Sequence, residues 1–179
     1  MGKPKVKKVS AVFLDRDGII NVPNIINRKP VAISSVKQLC FTDGIVELID
    51  RFHYLKYKIF VVTNQPDIAK GIISFNEAIN INKKILDKLP KIEYIYMCVH
   101  NDDDNCDCRK PKAGMLFDAK EKYGIDLQSS WMIGDRWRDV NCGFNAKCKT
   151  IFVDYGYNEN LKIMPDYVVK NIKEIKEII

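Results

Sequence analysis

Apolar positions in this chain alternate between short strand-like runs and helical stripes. Val9 to Leu14 reads as a first strand, and Lys58 to Thr63 (Lys-Ile-Phe-Val-Val-Thr) as a second. Glu93 to Cys98, Trp131 to Ile133 and Thr150 to Val153 are shorter strand candidates. Between them, Gly44 to Lys56 places Ile45, Leu48, Ile49, Phe52 and Leu55 at helical spacing. Ser74-Phe75-Asn76-Glu77 predicts a capping box that opens a helix running to about Leu89. Met115 to Tyr123 and Asp139 to Ala146 suggest two more helices, the first stopped by Gly124. This alternation predicts an α/β fold, a parallel sheet with helices on both faces. Asn21 to Gln38 has weak periodicity and two prolines, so a loop or small flap beside the first strand is expected, with no room for a large cap domain.

A chain of 179 residues fits one domain, spanning 1–179, with a substantial core. Its hydrophobic content of 46% and charged content of 29% are those of a soluble globular protein. No apolar run approaches the roughly 20 residues of a membrane span, so no membrane partner is expected. The segment Met1 to Lys8 is basic and lacks the apolar stretch of a secretory signal; it reads as a solvated tail. Met1-Gly2 begins like a myristoylation motif, but Val6 stands where Ser or Thr is required. The formal charge of +6 suits an anionic substrate and tolerates nucleic acid, but the lysines are scattered and favour neither. Three of the six cysteines fall between Cys98 and Cys108 beside His100, a metal pattern more than a disulfide framework. With no export signal, a cytoplasmic location is expected.

Polar chemistry gathers at the predicted strand ends. The first apolar run stops at Asp15-Arg16-Asp17-Gly18, two carboxylates one residue apart. Open α/β sheets place their ligand crevice at the carboxyl ends of strands, and a charge at the edge of a core needs a partner or a metal. Thr63-Asn64-Gln65 closes the second strand with small polar groups able to bind an oxyanion. Cys108-Arg109-Lys110-Pro111 sets a cationic pair before a helix, and Gly134-Asp135-Arg136-Trp137-Arg138-Asp139 closes the Trp131 to Ile133 strand. Each segment alone fits an ordinary turn; together, in this order, they point to an enzymatic site. Asp139 reads either as a second metal-side carboxylate or as a helix-start charge favoured by the dipole. Cys98-Val99-His100 and Cys106-Asp107-Cys108 form two short chelating pairs around a five-residue loop. Four soft or borderline ligands with no spare position describe a structural Zn²⁺ site. Asp102, Asp103 and Asp104 read as solvated loop acids. Cys40, Cys142 and Cys148 read as unpartnered thiols, and His53 as a structural helix residue.

With these segments in hand, the chain resembles the haloacid-dehalogenase superfamily of phosphohydrolases over roughly Val9 to Val153. Asp15 to Gly18 matches the superfamily's Asp-x-Asp-Gly motif, Thr63 its second motif, Lys110 its third and Asp135 its fourth. Leu-Asp-Arg-Asp-Gly, Thr-Asn-Gln and Cys-x-Cys-Arg-Lys-Pro together resemble the subgroup of heptose-bisphosphate and histidinol-phosphate phosphatases. The resemblance implies a Rossmann-like fold and a small phosphorylated substrate. In that reading Asp15 is the nucleophile and Asp17 the acid/base. Asp15, Asp135 and the Asp17 backbone hold Mg²⁺, and Thr63 and Lys110 hold the phosphoryl oxygens. Asn64, Gln65, Arg109 and Arg136 are the expected substrate contacts. The subgroup also carries a zinc loop where Cys98, His100, Cys106 and Cys108 stand. Lys112-Ala113-Gly114-Met115-Leu116 resembles the heptose group, the short zinc loop the histidinol group. The leading expectation is a heptose 1,7-bisphosphate, then histidinol phosphate, then a nucleic-acid 3′ end, for which no clustered basic groove is visible. A monomer is the default.

Overall fold

The computed structural model describes residues 9–27, 29–157 and 159–179; the basic segment 1–8 lies outside them. A six-stranded sheet forms the frame. Its strands are β1 (Ala11–Leu14), β4 (Lys58–Asn64), β5 (Tyr94–Cys98), β6 (Trp131–Gly134), β7 (Lys149–Val153) and β8 (Tyr167–Val169). They lie in the order β5-β4-β1-β6-β7-β8, and every pairing is parallel. β1 is central and fully buried along its length. The order reverses beside β1, which is where an open α/β sheet leaves its crevice.

Alternate residues of each central strand feed two separate cores, as the period of two demands. Val12, Leu14, Ile59, Val61 and Ile133 face one side. There α1 (Ile45–Tyr54) buries Ile45, Leu48, Ile49 and Phe52, and α3 (Phe75–Lys88) buries Ala78, Ile81 and Ile85. Ala11, Phe13, Phe60, Val62 and Met132 face the other. Here α4 (Gly114–Tyr123) and α5 (Trp137–Ala146) close over them with Met115, Leu116, Cys142 and Ala146. Helices therefore cover both faces, as the alternation of the sequence implies. A four-residue helix, α2 (Pro66–Ala69), follows β4 directly.

The expected boundaries shift for identifiable reasons. The first strand begins at Ala11, because Val9 makes only an isolated bridge to Ile125. Helix α5 starts at Trp137 instead of Asp139; Asp139 accepts a bond from the Arg136 backbone N–H at 3.1 Å, so it caps the helix from inside its first turn. Ser74 caps α3 as anticipated, accepting from the Glu77 N–H at 3.1 Å. Glu77 does not complete a capping box: its carboxylate accepts from the Val36 N–H at 2.8 Å and ties the segment after the flap to α3. The flap itself is an antiparallel hairpin, β2 (Asn24–Ile26) with β3 (Lys29–Val31). The sixth strand, β8, was not anticipated. It is three residues long, and Asp166 locks it to β7 by accepting from the Thr150 N–H (2.7 Å) and hydroxyl (2.9 Å).

Phe60 lies in contact with Phe13, Tyr96 and Tyr123, its centroid 5.4 Å from that of Phe13 and 4.9 Å from that of Tyr123. It is wholly buried. Phe60→Ala is expected to cost about 3–5 kcal/mol of folding stability, because this aromatic cluster cannot collapse into the space. Urea unfolding followed by circular dichroism checks it; a loss below about 1 kcal/mol would contradict the packing described.

Candidate active site

The carboxyl ends of β1, β4 and β6 meet over one cavity of about 300 Å³. Asp15, Asp17, Thr63, Asn64, Arg109, Lys110, Arg136 and Asp139 line it. Asp15 follows β1, and its N–H donates to the Ile133 carbonyl at 2.9 Å, which extends the pairing to β6 by one residue. Its carboxylate accepts from Lys110 Nζ at 2.8 Å. The same ammonium donates to Asp139 Oδ1 and to the Val62 carbonyl, both at 2.7 Å. All three protons of Lys110 are thereby used.

Asp135 stands directly behind Asp15 at the end of β6 and is wholly buried. Neither of its carboxylate oxygens has a hydrogen-bond partner among the described residues. Oxygens of Asp15, Asp135 and Asp139 lie within 4.8 Å of one another. Two glycines make this crowding possible: a Cβ at Gly18 (φ +105°) would overlap the Asp135 carboxylate, and one at Gly134 would overlap that of Asp139. Burial and the charge of Asp139 push Asp15 up to about 7, against the pull of Lys110. Burial, then the charges of Asp15 and Asp139, raise Asp135 well above the usual carboxylate range. Burial lowers Lys110, but the charges of Asp139 and Asp15 prevail and raise it. An orphaned buried carboxylate beside a second one is the donor set of a hard, oxygen-seeking dication.

Asp17 is positioned by donors on four sides. Arg16 Nη2 (2.9 Å) and Gln65 Nε2 (2.9 Å) reach Oδ2, while Asn21 Nδ2 (3.0 Å) and the Ile33 N–H (3.4 Å) reach Oδ1. Arg16 is wholly buried and also donates to Asn82 Oδ1 at 3.2 Å. Thr63 is buried at the end of β4, where its hydroxyl accepts from Gln65 Nε2 at 2.9 Å.

Of the four expected substrate contacts, Asn64, Arg109 and Arg136 line the cavity, and Gln65 does not. Gln65 lies beneath Asp17 and Thr63 and spends both amide protons on orienting them. Asn64 reaches the cavity edge, but its amide brackets the backbone of Lys110, accepting from the N–H (3.0 Å) and donating to the carbonyl (2.9 Å). Arg136 pairs with Glu159, which also accepts from the Trp137 N–H at 3.1 Å. Arg109 is likewise braced: Nε donates to Asp102 at 2.7 Å and Nη1 to the His100 carbonyl at 3.1 Å. Asp102 is therefore an anchor for Arg109 and not merely a solvated loop acid; Arg109 holds its carboxyl below the usual range. Asp139 resolves the two readings left open, serving at once as a helix-start acceptor and as one of the three clustered carboxylates. Arg16, Asn82 and Glu159 were not singled out. Arg16 carried a signal, a cation between two acids, whereas Asn82 and Glu159 lie 66 and 23 residues from their partners and carried none.

The Cys/His loop ends immediately before Arg109. Cys98 Sγ lies 3.6 Å from His100 Nδ1 and 3.6 Å from Cys106 Sγ. Cys108 Sγ lies 3.4 Å from His100 Nδ1 and 3.5 Å from Cys106 Sγ. Bonds of about 2.0–2.3 Å to one central ion give tetrahedral edges of about 3.5–3.8 Å between these ligand types, so these separations fit a closed four-ligand site. None of the six cysteines is in a disulfide.

Comparison with known proteins places the family. A family model described as HAD-hydrolase-like matches residues 107–175. A D-glycero-alpha-D-manno-heptose-1,7-bisphosphate 7-phosphatase from Campylobacter jejuni is 38% identical over 174 residues, 94% of each chain. The chain belongs to the haloacid-dehalogenase superfamily. It is a phosphoric monoester hydrolase of that superfamily. The beta-anomer 7-phosphatase of Pasteurella multocida is 32% identical, over 94% of this chain and 96% of its own. The crystal structure of D,D-heptose 1,7-bisphosphate phosphatase from B. bronchiseptica, complexed with magnesium and phosphate, superposes with a TM-score of 0.80 at 25% identity. That match covers 95% of this chain and 97% of the other. Among the described residues, no helix is long and apolar enough to cross a membrane.

The carboxylate cluster makes a stability prediction. Asp135→Asn removes a buried charge repelled by Asp15 and Asp139, so the metal-free variant is expected to melt a few degrees higher than the parent. Added Mg²⁺ should raise the melting temperature of the parent and leave the variant unchanged. The raised Asp15 and Asp135 bind protons in the fold that they lose in the unfolded chain, so the metal-free protein loses stability as pH rises from about 4 toward 7. Stabilisation by Mg²⁺ is accordingly expected to be larger near pH 8 than near pH 5. Differential scanning fluorimetry with and without chelator reads both.

Proposed function

We propose that the enzyme removes the 7-phosphate of D-glycero-D-manno-heptose 1,7-bisphosphate through an aspartyl-phosphate on Asp15. The observation that carries this is the cavity's charge layout. Asp15 and Asp17 lie at the floor, and four cations beyond Lys110 (Lys70, Arg109, Arg136 and Arg138) stand around them. Such a mouth suits a substrate with a second anionic group and is a poor match for the ammonium of histidinol phosphate. The names of the Campylobacter, Pasteurella and B. bronchiseptica relatives support the same substrate.

Asp15 is held by Lys110 with its carboxylate at the cavity, from where it attacks phosphorus in line with the departing sugar oxygen. Asp17 protonates that oxygen, then takes a proton from the water that cleaves the acyl phosphate. Its four donors fix its aim, and Gln65 links it to Thr63, so the acid/base and the phosphoryl-binding hydroxyl are positioned as one unit. Thr63 and Lys110 hold the phosphoryl oxygens as charge builds on them. Asp15, Asp135 and the Asp17 carbonyl would hold Mg²⁺, which when bound offsets the repulsion between carboxylates and phosphate. Cys98, His100, Cys106 and Cys108 would hold Zn²⁺ as a structural ion. It would fix the loop from which Arg109 and Lys110 project.

Four measurements test the reading. Asp15→Asn is expected to lower phosphate release by more than about 10³-fold with every substrate. Asp17→Asn should cost about 10²–10⁴-fold on a sugar phosphate but far less on an aryl phosphate, whose leaving group needs no proton. Across both heptose bisphosphate anomers, heptose 7-phosphate, histidinol phosphate and 3′-phosphorylated oligonucleotides, a heptose bisphosphate should give the highest kcat/KM. Histidinol phosphate in first place would overturn the assignment. Metal analysis should find one tightly held zinc per chain, lost in Cys108→Ser.

A further inference from the structure

Among the cations around the cavity, Arg138 is held in an unusual arrangement. It is the second residue of α5, where the helix dipole disfavours a cation, and its side chain lines the site cavity. The guanidinium rests over the ring of Trp137, 5.1 Å from its centroid. Nε is buried with no hydrogen-bond partner among the described residues. Nη2 makes only long contacts, 3.4 and 3.5 Å, to the two oxygens of Asp102. Arg109 reaches the same carboxylate with Nε at 2.7 Å. Two guanidiniums, one from the Cys/His loop and one from α5, thus converge on a single acid whose side chain is 65% exposed. One carboxylate leaves a net positive charge and several donors unspent. A phosphate, with three acceptor oxygens and up to two charges, matches a pair of guanidinium forks better than any hydroxyl or amine.

We propose that Arg138 joins Arg109 in a two-arginine clamp for the second, non-reacting phosphate of the substrate. Asp102 is the positioning residue that keeps both guanidiniums aimed at the cavity in the free enzyme. This rests on the reading of the substrate as a sugar bisphosphate. The competing role for Arg138 is a surface staple that pins the loop at Asp102 to α5, and the two roles make different demands. A staple supports stability alike for all substrates; a clamp acts on the KM for a bisphosphate.

The test compares kcat and KM of the full chain, with Mg²⁺, on heptose 1,7-bisphosphate and on heptose 7-phosphate, for the parent, Arg138→Gln and Arg138→Lys. Loss of charge-assisted bonds predicts that Arg138→Gln raises KM for the bisphosphate by about 10- to 100-fold. The change for the monophosphate should stay within about threefold, and thermal stability should hold or rise because a cation leaves the start of a helix. Arg138→Lys should recover part of the bisphosphate KM, since it restores charge without the fork. An equal KM change on both substrates overturns the clamp, as does a drop in melting temperature with the KM ratio intact. A parent enzyme that fails to prefer the bisphosphate overturns the bisphosphate reading, and the clamp with it. A parent that prefers it while Arg138→Gln keeps the full preference overturns the clamp alone.

Discussion

Lys110 Nζ donates to Asp15, to Asp139 and to the carbonyl of Val62, and through these three bonds it joins the ends of β1 and β4 to the start of α5. The cluster it serves is short of positive charge. Three buried carboxylates share one buried ammonium, and Asp135 has no partner among the described residues. Such a group is costly without a counter-ion, because a low dielectric magnifies repulsion as much as attraction. The surrounding structure is arranged to hold it nonetheless. Glycines at 18 and 134 let the carboxylates crowd together, and the Asn64 amide clamps the Lys110 backbone from both sides. Strain of this kind marks a site built for ligands and not for stability.

Around that centre, rigidity is supplied from several directions. Arg16 and Asn82 fix Asp17 from the side of the sheet packed against α3, and Ile33 fixes it from the segment that follows the flap hairpin. Arg136 pairs with Glu159 and reaches toward the Pro30 carbonyl of the flap, so the chain beyond β7 helps hold the flap over the cavity. Tyr155 adds a bond to the Gly18 carbonyl at 2.9 Å. The Cys/His loop supplies the opposite wall, where Arg109 is fixed by His100 and Asp102 before any substrate arrives. The small flap and the braced loop thereby form two walls of the cavity and narrow its mouth.

The central strands were legible because they are continuous apolar runs, the pattern that a doubly covered parallel sheet imposes. Helices α1, α3 and α4 were legible by their apolar stripes and by the Ser74 cap and Gly124 stop. β8 escaped notice because three residues carry no measurable period, and its pairing depends on Asp166 meeting Thr150. The flap's hairpin was equally silent, since its register comes from backbone pairing between short, exposed strands. At the site, the clustered polar residues were evident from motifs at strand ends. The roles of Gln65 and Asn64 were not, because an amide at the edge of a pocket can turn either to the ligand or to a neighbouring backbone.

By itself, the sequence determined the fold class, the strand ends at which polar residues cluster, and the spacing of the Cys/His loop. Each rests on local periodicity or on residues within a few positions of one another, and such short-range relations are fixed by covalent spacing. Tertiary structure alone decided which carboxylate stays unpaired, which amides serve the backbone, and that Asp102 gathers Arg109 and Arg138 beside one cavity. Those outcomes depend on distances between segments as far apart in the chain as Asp15 and Asp135. Only packing sets them, because a side chain's partner is whichever group the fold brings within about 3 Å of it.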